Sequence, residues 1–203
     1  MLEDNYNIYI CGVGGQGIIK TSVVIGEAAM NQGYEVAMSE IHGMSQRGGS
    51  VSTELRIGNY KSSIVENGKS NMILGFEPIE TIRGLNKANQ DTKIVFNIVP
   101  LIPSTISQTK EKYPKIDTII KALNKHYNNV HPVNGNQLAE NAGSILSLNM
   151  VLLGALTADK EFILSKKSII DAMKDNLKPK FHEMNIKAIE NGYNAIKEKT
   201  TGE

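Results

Sequence analysis

Cysteine and tryptophan are nearly absent from this sequence: its 203 residues include one cysteine, Cys11, and no tryptophan. One thiol excludes a disulfide within the chain, and it excludes an iron–sulfur cluster held by the cysteines of this chain alone. No neighbour in the sequence would activate Cys11, so a buried, inert thiol is favoured over a nucleophile. The chain therefore encodes neither a disulfide-stabilised scaffold nor a cluster-bearing domain.

An excess of charge and a long apolar run are also missing. The 22 lysines and arginines balance 21 aspartates and glutamates, so the net charge of +1 supplies no field to recruit nucleic acid or an acidic membrane. The most apolar stretch, 145–156, contains polar residues and is too short to span a bilayer. The N-terminus lacks the pattern of a secretory signal. We expect a cytoplasmic protein with no nucleic-acid or membrane partner.

Recognisable catalytic motifs are lacking as well. The four histidines are scattered without the spacing of metal ligands, so we predict no metal site. The sequence has no nucleophile elbow, no G-x-x-x-x-G-K-[ST] phosphate loop and no G-D-G stretch of the kind that anchors thiamine diphosphate. We therefore assign no catalytic residue.

What the chain does have is a glycine cluster directly after its first apolar run. Gly12, Gly14 and Gly17 satisfy the G-x-G-x-x-G spacing, with Gly15 and Gln16 between them. In a strand–turn–helix context, such glycines let the backbone approach an anion at the start of a helix. We predict that these five residues bind a phosphate group or a nucleotide; a purely structural tight turn is the alternative.

An acidic residue, Glu40, follows the second predicted strand at 35–39. A dinucleotide-binding domain places an acid there to bind a ribose hydroxyl, so we add Glu40 to the predicted cofactor site. A self-sufficient Rossmann-type NAD-dependent dehydrogenase is therefore the alternative function. The stretch 41–50 weakens it, because that stretch lacks helical periodicity and runs into an alternating strand pattern at 50–57 instead of a second crossover helix.

The periodicity of the whole chain predicts an α/β fold. We expect a three-layer α/β/α, Rossmann-like domain with a mainly parallel, mixed sheet. An antiparallel hairpin is predicted from about Ser50 to Val65, with its turn at Gly58 and Asn59. Amphipathic segments at about 160–199 predict C-terminal helices, and we interpret residues 1–203 as a single domain.

Further candidate residues lie between the second and third strands and at Glu77. His42 could act as a general base, although a hydrogen-bonded loop histidine is the simpler interpretation. Arg47 suits a phosphate or carboxylate, with an inter-subunit salt bridge as an equal alternative. Glu77 follows a predicted parallel strand, where α/β sheets bind ligands, but could equally stabilise the helix that Pro78 begins. We assign these residues to a shared cleft or partner surface: His42, Ser45, Gln46, Arg47, Gly48, Gly49 and Glu77.

Two motifs together resemble the gamma-type domain of the 2-oxoacid:ferredoxin oxidoreductases. They are GVGGQG at 12–17 and HGMSQRGGSV at 42–51. The likeness continues through GFEP at 75–78 and NMVLLGA at 149–155, and the region 180–193 looks like the closing helix of the family. Asn149 begins the stretch NMVLLGA, and a structural hydrogen bond to a neighbouring loop explains this residue more simply than catalysis does. As a free-standing chain, the sequence is most similar to the beta subunit of the indolepyruvate branch of that family, and the free gamma subunits of the pyruvate and ketoisovalerate oxidoreductases are the near alternatives.

The resemblance implies a complex that decarboxylates an aryl 2-oxoacid, indolepyruvate above all, passes the electrons to ferredoxin and forms an acyl-coenzyme A. In that family the thiamine diphosphate and the iron–sulfur clusters belong to the partner subunit or to other domains. The expected partner is therefore a large (alpha) subunit, with ferredoxin reached through the complex. No position of this chain matches a known catalytic role, so we expect it to be inactive alone.

Overall fold

The computed structural model describes residues 5–43, 48–102 and 112–201. In these ranges the strands are β1 (Tyr6–Val13), β2 (Val36–His42), β3 (Ser50–Ile57), β4 (Met72–Gly75), β5 (Lys93–Asn97) and β6 (Asn129–Val133). The α-helices are α1 (Ile18–Asn31), α2 (Pro78–Arg83), α3 (Ile116–His126), α4 (Gly135–Ala142), α5 (Leu148–Thr157), α6 (Lys166–Asn176) and α7 (His182–Thr201). Short 3-10 helices cover Gly84–Lys87, Ile145–Ser147 and Pro179–Phe181.

All six strands form one sheet in the order β2-β3-β1-β4-β5-β6. The strands β1, β4, β5 and β6 pair in parallel, and β3 is antiparallel to both of its neighbours, β1 and β2. The predicted α/β class with a mainly parallel, mixed sheet is therefore confirmed.

The position of the antiparallel hairpin was predicted wrongly. The hairpin joins β2 to β3, with Val36 opposite Ile57 and His42 opposite Val51, while residues 61–65 form no strand. Both edges of β3 are already occupied, by β1 and β2, so a strand at 61–65 would have no free edge to pair with.

Side-chain bonds hold residues 61–65 against β3 in place of strand pairing. Arg56 donates through Nη1 to the carbonyl oxygens of Ile64 at 2.8 Å and Ser62 at 3.3 Å. The carboxylate of Glu54 accepts from the N–H of Val65 and forms an ion pair with Lys87 at 2.9 Å. Glu54 and Arg56, two of the polar residues that alternate along β3, thus anchor a covering segment, and both are buried.

The two faces of the sheet are covered by different helices. On one face, α1 and α4–α7 pack on a core that includes Ile8, Leu55 and Leu74. On the other face, α2 and α3 pack on Ile73 and Phe96. Successive side chains of a strand point to opposite faces, so the apolar strands can fill both cores. The result is the predicted arrangement of three layers.

The central helix of the larger core is α5, in which every residue is buried. Its Gly154 meets the backbone of α7 directly: a Cβ at Gly154 would lie 1.8 Å from the carbonyl oxygen of Ile189. A Cβ at Gly192 would lie 1.8 Å from the carbonyl oxygen of Val151. The two glycines therefore allow α5 and α7 to cross with their backbones in contact.

No single helix in the described ranges is long and apolar enough to cross a membrane. The segments Gly135–Ala142 and Ile145–Thr157 meet the length and hydropathy criteria only together, and they are bent by 120° where they join.

Candidate functional site

The candidate site lies at the carboxyl edge of the sheet, where β1 and β4 are neighbours. After β1 the chain enters α1 on one face of the sheet, and after β4 it enters α2 on the opposite face. Open α/β sheets bind ligands in the crevice that such a reversal creates. The glycine loop therefore occupies the place where the fold favours a ligand.

The glycine loop needs its glycines for backbone reasons. Gly15 has a φ of +100° and Gly17 a φ of +88°, both in the region that side chains disfavour. A Cβ at Gly12 would lie 2.6 Å from Cβ of Phe76, so the loop packs directly on the end of β4. The loop ends at Gly17, the N-cap of α1, where no side chain caps the helix.

Gln16 connects this loop to the next strand. Its Oε1 accepts from the N–H of Val13 at 2.8 Å, and its Nε2 donates to the carbonyl oxygen of Phe76 at 3.1 Å. The amide group thus bridges β1 and β4 across the crevice. Such a bridge fixes the shape of the loop. Gln16, which the sequence analysis assigned to the cofactor site, therefore has a positioning role.

The second predicted loop reaches the first one. The N–H of Gly14 donates to the carbonyl oxygen of Gly49 at 2.9 Å, which brings Gly48 and Gly49 beside the glycine loop. Ser50, which follows them, donates to the buried carboxylate of Glu80 at 2.6 Å. Three residues assigned to this surface, Ser45, Gln46 and Arg47, lie outside the described residues.

Glu40 and His42 lie apart from the glycine loop. Both are on β2, and the side chains pair with each other, with His42 Nε2 3.2 Å from Glu40 Oε2. Because β3 is inserted between β1 and β2, these residues are two strand spacings from β1, or about 10 Å. In a dinucleotide-binding domain the acidic residue follows the strand next to β1. The inserted strand therefore removes the geometry that an NAD site would need.

Glu77 is fully buried and caps α2. Its Oε2 accepts from the N–H groups of Ile79 at 2.7 Å and Glu80 at 3.0 Å, and its Oε1 accepts from the Tyr113 hydroxyl at 2.5 Å. Burial raises the pKa of this carboxyl, and the three hydrogen bonds oppose that rise. The helix-stabilising interpretation of Glu77 is the one that its contacts support.

Sequence reasoning missed two residues of this edge, Tyr113 and Asn97. Tyr113 lies in a segment without periodicity, and its partner Glu77 is 36 residues away. Asn97, at the end of β5, accepts from the N–H of Gly135 at 3.0 Å and donates to Oδ1 of Asn136 at 3.1 Å. The sequence held one signal for these two residues, a polar residue at the end of an apolar strand. That signal could have identified Asn97 but not Tyr113.

Asn149 does not make the structural hydrogen bond that the sequence suggested. Its side chain packs against Gly17, where a Cβ would lie 3.2 Å from Nδ2. Among the residues that the structure describes, this amide donates and accepts no hydrogen bond, although only 6% of the residue is exposed.

Cys11 lies beneath the site and is buried. Burial raises the pKa of its thiol, and the carboxylates of Glu80 and Glu77 raise it further. A thiol in these surroundings stays protonated and unreactive, as the sequence indicated. Within the described ranges, no group of three histidine, cysteine, aspartate or glutamate side chains is placed to hold a metal ion.

A cleft of about 230 Å³ opens beside the glycine loop. Gly15 and Gln16 form one wall, and the segments after β5 and before α5 form the others. Four exposed apolar side chains belong to those segments: Leu101, Ile102, Ile145 and Leu146. Leu146 is 85% exposed. Apolar side chains clustered in this way are typical of a protein–protein contact surface, and we call these four residues the apolar patch.

Comparison with known proteins identifies the family. Residues 7–195 match the family of the pyruvate ferredoxin/flavodoxin oxidoreductases. The chain belongs to this family. It is 47% identical to the indolepyruvate oxidoreductase subunit IorB of Methanothermobacter thermautotrophicus over 194 residues, 96% of this chain and 99% of that one. The resemblance inferred from the motifs is thus confirmed.

Solved structures of two ferredoxin oxidoreductases share the fold. The gamma subunit of a keto/oxoacid ferredoxin oxidoreductase from Geobacter sulfurreducens superposes with a TM-score of 0.70 at 22% identity, covering 95% of this chain and 99% of that one. A 2-oxoglutarate:ferredoxin oxidoreductase from Magnetococcus marinus gives a TM-score of 0.70 at 20% identity. That match covers 97% of this chain and 32% of the larger one, so there the fold forms part of a longer polypeptide.

Proposed function

We propose that this chain is the small, beta-type subunit of an indolepyruvate ferredoxin oxidoreductase. The complex would oxidatively decarboxylate an aryl 2-oxoacid to an acyl-coenzyme A and pass the electrons to ferredoxin. The observation that carries this proposal is the 47% identity to an indolepyruvate oxidoreductase subunit across nearly the full length of both chains. Residues 1–203 would then act as one gamma-type domain, with α6 and α7 as its C-terminal helices.

The cofactor chemistry is assigned to the partner. Decarboxylation of a 2-oxoacid needs an electron sink, which side chains do not supply and a cofactor must. In this proposal thiamine diphosphate and the iron–sulfur clusters belong to the large (alpha) subunit. The lone thiol of this chain is buried and protonated, which supports placing the clusters elsewhere. The role of this chain is to complete and shape a composite site.

The large subunit would dock on the carboxyl edge of the sheet. The apolar patch lies there beside the glycine loop, and the hydrogen bond between Gly14 and Gly49 joins the two predicted loops into one surface. Residues His42 to Gly49, Arg47 included, would extend this contact. Interfaces of this kind bury exposed apolar side chains at their centre and leave a polar rim.

Coenzyme A or a nucleotide at the glycine loop would require the partner. The cleft beside Gly15 and Gln16 measures about 230 Å³, whereas pockets that enclose a drug-sized ligand, smaller than coenzyme A, measure about 300–1,000 Å³. The large subunit would supply the missing wall. This requirement fits a composite site better than the alternative of a self-sufficient dehydrogenase, whose acidic ribose ligand Glu40 is two strands away.

Reconstitution tests the proposal. Indolepyruvate-dependent reduction of ferredoxin or a dye is measured with this chain alone, the large subunit alone and the two together, with coenzyme A and thiamine diphosphate present. We expect turnover only from the pair, and faster turnover with indolepyruvate than with pyruvate or 2-oxoglutarate. Turnover by this chain alone, or an equal rate from the large subunit without it, would refute the assignment.

A further inference from the structure

A second cleft, of about 450 Å³, lies beside the start of α1. Leu146 lines both this cleft and the one at the glycine loop, so the two are neighbours. The apolar wall of the 450 Å³ cleft includes Met150, Leu177 and Phe181, and the polar lining of this cleft includes Lys20 and Asn149. We call it the Asn149 cleft. Its lining suits a ligand that is polar at one end and apolar at the other.

Asn149 presents an unused amide to this cleft. The residue is 94% buried, and in the described part of the chain its side chain has no hydrogen-bond partner. Its nitrogen and oxygen are not among the described side-chain atoms that are sealed from solvent without a partner, so the amide reaches the open cleft, where water or a ligand would complete its hydrogen bonds. The amide lies against Gly17 at the first turn of α1, so a ligand that bonds to this amide would lie beside the start of that helix.

The start of α1 is an independent reason to expect an anion there. The helix has 14 residues, no side chain caps its N-terminus, and its first turn contains no acidic residue. The first N–H groups of a helix have no partner within the helix, and the helix dipole makes this end attractive to negative charge. Gly17, the N-cap, has no side chain of its own to occupy the position.

The charges around the cleft have the matching sign. Among its described lining residues, Lys20 carries the one charge. The ammonium group of Lys180 lies 4.9 Å from the ring centroid of Phe181, which adds a second positive charge near the apolar wall. No acidic side chain of the described lining opposes an anion.

We propose that the Asn149 cleft binds a small ligand that carries a phosphate or carboxylate group on an apolar body. The anionic group would accept hydrogen bonds from the first N–H groups of α1 and from the amide of Asn149, with Lys20 compensating its charge. The apolar body would pack on Met150, Leu177 and Phe181. This inference goes beyond the subunit role, because the site is formed by this chain alone and can be tested without the partner.

The binding experiment uses the full chain with isotopic labelling of its backbone and side-chain amides. Inorganic phosphate, acetate and hexanoate are titrated separately at constant ionic strength, against chloride as reference. We expect saturable shifts of the N–H signals of Ile18 to Lys20 and of the Asn149 amide. If the natural ligand carries a phosphate, the cleft should bind inorganic phosphate most tightly of the three probes. If it carries a carboxylate, the cleft should bind hexanoate more tightly than acetate, because the longer chain of hexanoate reaches the apolar wall. No saturable shift with any of the three would overturn the proposal.

Two variants separate a binding role from a structural one. Asn149→Leu keeps the approximate side-chain size and removes an amide that bonds no other described residue, so we expect a Tm that does not fall together with binding that is about tenfold weaker. Lys20→Gln should also weaken binding, and Lys121→Gln, on exposed α3 at the opposite face of the sheet, should not. Unchanged binding in Asn149→Leu, or an equal loss in Lys121→Gln, would contradict the proposal. Failure of the reconstitution assay would leave this result unaffected.

Discussion

The side-chain amide of Gln16 donates to the carbonyl oxygen of Phe76 at 3.1 Å and so joins the glycine loop to the end of β4. The same amide group accepts from the N–H of Val13 at 2.8 Å. One side chain therefore satisfies backbone groups of two neighbouring strands at the point where their helices leave on opposite faces of the sheet. The shape of the crevice depends on this bridge.

Removing the bridge should cost stability. We expect Gln16→Ala to lower the free energy of unfolding by about 1–3 kcal/mol, because it leaves the N–H of buried Val13 and the carbonyl of Phe76 without this partner. Urea unfolding of the isolated chain measures the loss. Gln137→Ala is the matched control: Gln137 is exposed on α4 and bonds one neighbouring side chain, so its loss should stay within about 0.5 kcal/mol. Equal losses in the two variants would show that the bridge contributes nothing.

The crossing of α5 and α7 should tolerate no side chain at Gly154. A Cβ there would lie 1.8 Å from a backbone oxygen, so Gly154→Ala must separate the two helices. We expect a loss of about 1–3 kcal/mol or more. Gly26→Ala is the control, because Gly26 is a buried helical glycine of α1 whose Cβ would make an ordinary contact at 3.6 Å. That variant should gain about 0.5–1 kcal/mol from helix propensity, and thermal unfolding would reveal the opposite signs.

The stability of the chain should depend on pH through Glu77. Burial raises the pKa of this carboxyl in the folded state above its ordinary value of 4.5. The stability it contributes is therefore full below about pH 4.5 and is lost as the pH rises through the folded pKa. We expect the free energy of unfolding of the native chain, relative to Glu77→Gln, to fall as the pH rises above about 4.5 and through the raised pKa of this carboxyl. A difference that rises with pH would contradict the assigned direction.

Tyr113→Phe sharpens the same test. The Tyr113 hydroxyl donates to the ionised Glu77 carboxylate and so lowers its pKa. Without that bond, the pKa of Glu77 should rise further, and the loss of stability should shift to higher pH. A double variant with Glu77→Gln should no longer show the shift, which assigns it to this pair and not to the tyrosine alone.

The apolar patch should matter for the complex and not for the fold. Leu146 is 85% exposed, so we expect Leu146→Ser to change the stability of the isolated chain by less than about 0.5 kcal/mol. Binding to the large subunit should weaken about fivefold or more, as measured by titration calorimetry. Ile64→Ser provides the control, because Ile64 is 61% exposed on the segment that covers β3. Equal affinities for the two variants would place the interface elsewhere.

The sequence by itself determined the elements whose signals are local. The apolar run before the glycines, the helical period after them and the glycine spacing predicted β1, the loop and α1, and the combination of motifs gave the family. The strand, loop and helix signals, and each motif taken singly, lie within a few residues, where backbone sterics and side-chain period act directly. At Glu77 the sequence left a helix cap and a ligand-binding role as equal alternatives, and the hydrogen bonds to Ile79 and Glu80 in the structure support the cap.

Only the tertiary structure decided which strands are neighbours and which distant side chains meet. The alternation in β3 predicted a strand but not that both of its edges would pair, which moved the hairpin to β2 and separated Glu40 from the glycine loop. Asn149 and Gly17, and likewise Tyr113 and Glu77, are brought together by packing across long stretches of chain. Pairing of this kind depends on which surfaces remain free when the whole chain collapses, and no local pattern of residues records it.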